Sequence, residues 1–169
     1  AAAKRMAIAD GEVSHSGEGI HAGIAIAVAV TSGMAGKGYL EVYSDAVNSV
    51  PKDSWTYRTL VDAQNILNEN VNESLFVNAE KLLDKVAQTK YFFADLAPEA
   101  VSLALASVLY GKGDFAKSLL FAVNLGRDAD TIAAMSGAVA GSISGYSNIP
   151  DKWKVAVTSV GGSCLAFTK

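Results

Sequence analysis

A chain of 169 residues, half of them hydrophobic, is long enough to bury the core of one domain and does not require two. Its 14 Lys and Arg are scattered among 17 Asp and Glu for a formal net charge of -3, which argues against the basic stripe of a nucleic-acid binder. A single cysteine, Cys164, rules out an intrachain disulfide and a multi-cysteine zinc site and points to a reducing cytoplasm as the expected location.

In chain order, Ala1-Ala2-Ala3-Lys4-Arg5-Met6 has no long apolar stretch and cleavage site behind its basic pair, so no secretory signal is expected, and opening on Ala hints that the gene product began earlier. Ile24 to Val30 alternates large and small residues, which periodicity alone would allow as a strand. Small Ala on one face suits tight helix packing, and no partner strand with a period of two appears, so the segment reads as helix. It is too short for the ~30 Å of a bilayer core and is expected in the interior of a soluble protein, with no membrane association.

Ser54 to Asn68, with Trp55, Leu60, Ala63, Ile66 and Leu67, and Ser74 to Val86, with Leu75, Val77, Ala79, Leu82, Leu83 and Val86, have the spacing of amphipathic helices. Pro98 opens a helix running to Tyr110, because the first turn does not need its missing amide proton, and Gly111 and Gly113 close it. Asp114 caps the next helix, which ends near Asn124. With no repeat, low-complexity tract or linker, the expected fold class is all-α, as one domain or a large piece of one.

The chemistry concentrates in Asn124-Leu125-Gly126-Arg127-Asp128-Ala129-Asp130-Thr131, which runs into a helix where Ala133, Gly137, Gly141 and Gly145 recur every four residues. Such a stripe lets another backbone approach closely and makes the helix a rigid mount. Asp is a favoured N-cap and suits the positive helix end, so from these residues alone capping is the simpler account of Asp128 and Asp130. An EF-hand is excluded because Ile132 and Ala133 stand where a ligand and the turn Gly belong. A phosphatase Asp-any-Asp-any-Thr pattern fails as well, since it needs one more residue before Thr131 and a preceding strand.

The sequence from Gly126 to Ala133 with its glycine-spaced helix, together with Ser14-His15-Ser16-Gly17-Glu18-Gly19-Ile20 upstream, resembles the ADP-ribosylglycohydrolase family over residues 1 to about 153. The resemblance implies a compact multi-helix fold and a catalytic role for Asp128 and Asp130. It also implies that Asp128, Asp130 and Thr131 supply oxygen ligands to two divalent cations, Mg2+ or Mn2+, which favour carboxylate and hydroxyl donors. By the same resemblance, Ser14, His15 and Gly126 lie against the substrate. His15 would donate a hydrogen bond to diphosphate or ribose, although a His beside Ser and Gly is as often a plain loop residue. Gly126 would let the backbone approach a phosphate or ribose, and a helix C-terminal turn explains it equally well. Glu18 reads as a first-turn acid, Glu99 as an acid favouring the helix start after Pro98, and His21 as a second residue facing the cleft. Tyr39, Tyr43, Tyr91, Phe92 and Phe93 are candidates for stacking on adenine, but such aromatics are usually core.

Family members draw their other metal ligands, and the water-orienting acid, from a Ser or Thr followed by two consecutive Asp in an N-terminal half. No two acidic residues are adjacent in this chain. The expectation is therefore a C-terminal portion, residues 1–169, of a single helical domain whose missing N-terminal segment is its partner. The implied function is metal-dependent cleavage of the glycosidic bond between ADP-ribose and a modified protein side chain or small acceptor. The alternative is a non-catalytic structural or ADP-ribose-binding relative on the same scaffold.

Overall fold

The computed structural model describes residues 2–87 and 93–155; Tyr91, Phe92 and Cys164 lie outside them. The described residues form helices and no strand. In order these are α1 (Ala2–Gly11), α2 (Glu18–Met34), α3 (Tyr39–Ser49), α4 (Trp55–Glu69), α5 (Leu75–Val86), α6 (Ala97–Tyr110), α7 (Phe115–Asn124), α8 (Ala129–Ser144) and α9 (Asp151–Lys154), with a 3-10 turn at Tyr146–Asn148. The all-α expectation is met, and Ile24 to Val30 lies wholly within α2. No helix among the described residues is long and apolar enough to cross a membrane.

Local chemistry sets several helix starts. Ser54 Oγ accepts the Tyr57 amide at 3.0 Å, Ser74 Oγ the Val77 amide at 3.4 Å, and Asp114 Oδ1 the Lys117 amide at 2.8 Å. Each satisfies one amide that the first turn leaves without an intrahelical partner.

Helix α6 is the axis of the fold. It packs on α4, α7, α8 and α2, and every residue from Pro98 to Leu109 is buried. A helix apolar nearly all round belongs in an interior, and its polar groups there must find partners. Ser102 Oγ donates to Thr59 Oγ1 at 2.8 Å, and Ser107 Oγ donates to the Leu103 carbonyl at 2.7 Å. Tyr43 is likewise a core residue, its hydroxyl donating to the Leu60 carbonyl at 2.8 Å while burial pushes its pKa upward.

The small-residue stripe of α8 works differently from the expectation. A Cβ at Gly137 would meet the Leu119 side chain at 3.2 Å and one at Gly141 would meet the Phe115 ring at 3.6 Å, so the stripe receives side chains of α7 rather than a backbone. Gly145 is not part of it: at φ 76° it ends the helix. The tight approach to α8 comes from the other side, where a Cβ on Gly33 of α2 would overlap Ser142 Oγ and fall 3.1 Å from the Ser142 carbonyl carbon.

Candidate active site

Helix α7 gives way to α8 through four residues. Leu125 closes α7, Gly126 and Arg127 follow at φ 68° and 57°, and Asp128 begins α8 at φ -83°. Gly126 takes the left-handed conformation without a steric penalty, as glycines after a helix end commonly do. Arg127 does not; a side chain in this region costs about 1–2 kcal/mol.

Something must hold it there, and Glu99 does. Arg127 Nε donates to Glu99 Oε1 at 2.6 Å and its terminal nitrogen donates to Oε2 at 3.2 Å, while Glu99 is fully buried on α6. Hydrogen bonding to the carboxylate, helped by its charge and opposed by burial, raises the Arg127 pKa above its ordinary value. Glu99 stands in the first turn of α6, as expected, and is in addition a buried anion bridging α6 to the turn before α8. The signal was available, because a lone carboxylate in the apolar run from Ala97 to Leu109 requires a cationic partner.

Asp128 occupies the N-cap position of α8, but its side chain makes no capping hydrogen bond; only its carbonyl takes part, accepting the Ile132 amide at 2.9 Å. It differs in this from Ser54, Ser74 and Asp114. Instead, Asp128 lines a cavity of about 540 Å³ between α1, α2, α6 and α8. Thr131, one turn into α8, shares that wall, and His15 reaches it from the loop between α1 and α2. Asp10 and Asp95, neither singled out in the sequence, bring two more carboxylates to the lining, and Ile26, Val101 and Met135 give it apolar surface.

His15 is set by its neighbours. Ser14 Oγ lies 2.7 Å from His15 Nδ1, and a hydroxyl that donates there leaves the ring proton on Nε2. The ring also needs Gly19, where a Cβ would stand 3.2 Å from His15 Cδ2.

The structure thus joins His15, Asp128 and Thr131. Asp130 is exposed and Ser14 and Gly126 are absent from the cavity lining. For Asp130 the reason is helical geometry: successive residues are turned by about 100°, so with Thr131 on the cavity wall its predecessor faces elsewhere. His21 does not line the cavity either; it turns to Glu18, with 3.6 Å between Nδ1 and Oε2. Glu18 is more than a first-turn acid, since it accepts the Trp55 amide at 2.7 Å and so reaches the start of α4.

The donor set is carboxylate and hydroxyl oxygen, the chemistry that hard divalent cations favour. Among the described residues, however, no three His, Cys, Asp or Glu side chains converge as a metal site. Asp128 and Thr131 therefore fit one side of a coordination shell and do not by themselves complete it.

Known proteins carry related sequences. Over 83 residues the chain is 39% identical to the ADP-ribosylarginine hydrolase Tri1 of Serratia proteamaculans (strain 568), a stretch covering 47% of this chain and 21% of that protein. Over 38 residues it is 42% identical to the ADP-ribosylhydrolase ARH3 of Homo sapiens, covering 22% of this chain and 10% of that protein. The matched stretches span about a fifth or less of these relatives' own length. No solved structure matches significantly. The family model for ADP-ribosylglycohydrolases matches residues 1–166, nearly the whole length, and the chain belongs to the ADP-ribosylglycohydrolase family.

Proposed function

We propose that this chain forms one wall of the active site of a metal-dependent hydrolase that cleaves the glycosidic bond between ADP-ribose and a modified side chain or small acceptor. The supporting observation is Asp128: a carboxylate at a helix N-cap that leaves capping to its own carbonyl and faces a cavity shared with Thr131 and His15. Family membership and the stretch shared with an ADP-ribosylarginine hydrolase favour the same reading.

In this reading Asp128 and Thr131 would hold Mg2+ or Mn2+ as part of a two-cation site. The other ligands come from polypeptide of the same protein outside residues 1–169. When bound, the cations supply charge that orients ribose hydroxyls and favours ionisation of a water. The chain's own residues do the rest. His15 Nε2 donates to a phosphate or ribose oxygen when its Nδ1 accepts from the Ser14 hydroxyl. Asp10 and Asp95 add two further carboxylates to the cavity lining, and negative charge there would favour a carbon that develops oxocarbenium character. Ile26, Val101 and Met135 give the cavity an apolar surface beside these polar groups.

The test is release of ADP-ribose from ADP-ribosylated arginine and serine peptides by the whole protein, followed by chromatography with and without Mg2+. Mg2+-dependent release that Asp128→Asn depresses at least a hundredfold is expected. Tight ADP-ribose binding with no release under either condition would favour the non-catalytic module instead.

A further inference from the structure

The ion pair between Glu99 and Arg127 is oddly placed for a stabilising device. Exchanging a buried pair for apolar side chains is often neutral or better for stability, and a glycine at position 127 would adopt φ 57° without strain. Stability alone does not explain why an arginine is forced into the left-handed region and clamped at two points by a fully buried carboxylate. Lys112, the other left-handed non-glycine among the described residues, is exposed in the turn between α6 and α7.

What the clamp does is visible one residue further on. Asp128 has no side-chain capping bond to orient it, so its direction is set by the backbone that delivers it, and that backbone is pinned through Arg127 to the most deeply buried helix of the fold. The clamp also has an electrostatic consequence. A guanidinium next to Asp128 in sequence, if released, could pair with that carboxylate and compete with a cation for it. Two-point attachment to Glu99 keeps it away.

We infer that Glu99 and Arg127 are positioning residues of the cation site: Glu99 fixes the Arg127 turn, and the turn presents the Asp128 carboxylate to the cavity. In this role both act through the Asp128 carboxylate. This inference rests on the proposed role of Asp128 as a cation ligand, and its test separates the two.

The measurement is Mn2+ affinity of the whole protein, read from the signal of free Mn2+ in electron paramagnetic resonance. The first variant combines Glu99→Met with Arg127→Gly, which removes both charges, fills the space on α6 and relieves the backbone at 127. The expected result is a folded protein with cooperative unfolding near that of the parent and Mn2+ affinity lowered about 10- to 100-fold, the usual effect of losing a group that orients a ligand. Native affinity in this variant, with affinity lost in Asp128→Asn, overturns the positioning role and leaves the cation role of Asp128 standing. Native affinity in Asp128→Asn overturns both. Should the double variant not fold, Arg127→Lys replaces it, retaining the charge and losing the two-point fork; reduced affinity supports the inference and unchanged affinity overturns it.

Discussion

Glu18 Oε2 accepts both the backbone amide of Thr56, at 2.9 Å, and its hydroxyl, at 2.7 Å, so that an acid at the start of α2 closes the start of α4, 38 residues away. With Oε1 on the Trp55 amide, the carboxylate satisfies two of the donors a helix start leaves over and lies at the positive end of the α4 dipole. Burial alone would raise its pKa; the hydrogen bonds from Thr56 and Trp55, with His21 nearby, prevail and hold it below the ordinary 4.5. A group lowered on folding contributes stability that is fully present above the unfolded value and is lost as pH falls through the folded one. Glu18→Gln keeps an acceptor and loses the charge, so it should cost about 1 kcal/mol near pH 7. The gap between parent and variant in urea unfolding should stay constant down to about pH 5 and close below 4.5. A gap that widens in acid would show that the charge is not what holds α4.

Two aspartates at helix starts should respond in opposite ways. Asp114 Oδ1 accepts the Lys117 amide, so Asp114→Ala should lose about 1 kcal/mol in urea unfolding and leave Mn2+ affinity unchanged. Asp128 makes no such bond, so Asp128→Ala should lose only a few tenths of a kcal/mol through the helix dipole while abolishing tight Mn2+ binding. An equal stability loss in both, with Mn2+ binding retained in both, would return Asp128 to a capping role.

His15 is exposed, so its removal should be nearly silent in stability. Loss of one hydrogen bond to a phosphate should weaken ADP-ribose binding about tenfold at fixed Mn2+ in calorimetric titration. Gly19→Ala should act in the same direction by crowding the ring, since its Cβ would sit 3.2 Å from His15 Cδ2. Unchanged affinity in His15→Ala would leave the residue as part of the loop only.

The elements legible in the sequence were those whose signals are local. Ser54, Ser74, Asp114 and Pro98 mark helix starts through chemistry confined to one turn, and α4 and α5 show apolar residues at helical spacing. Helices α1 and α3 were not read, and α1 buries none of its residues completely, which leaves little periodic pattern to detect. For the site, the stretch from Gly126 to Thr131 stood out because residues of related chemistry are adjacent in the chain. Asp10 and Asp95 did not, because only the meeting of α1 with the segment before α6 brings them to the same cavity. The pairing of Glu99 is hidden for a similar reason: its partner is 28 residues away, and its place in the first turn after Pro98 already gives it a local explanation. Asp130 illustrates the reverse difficulty, since proximity in sequence to Asp128 does not bring it to the cavity face.

Two glycines facing close neighbours should separate backbone crowding from side-chain crowding. At Gly33 an added Cβ would overlap Ser142 Oγ and meet the Ser142 carbonyl carbon at 3.1 Å, and the second contact cannot rotate away. Overfilling of this kind costs about 1–3 kcal/mol, while alanine's better helix propensity returns up to about 1 kcal/mol, so Gly33→Ala should be destabilising overall. Adding Ser142→Ala removes the hydroxyl contact and leaves the backbone one, so it should recover only part of the loss. At Gly137 the nearest atom is Leu119 Cδ1 at 3.2 Å, the end of a side chain that can turn, and Gly137→Ala should fall within about 0.5 kcal/mol of the parent. Urea midpoints at unchanged slope measure all three variants. Were Gly137→Ala the more damaging of the two single substitutions, the close approach of α2 to α8 would not be the tight contact that seats α8 against the core.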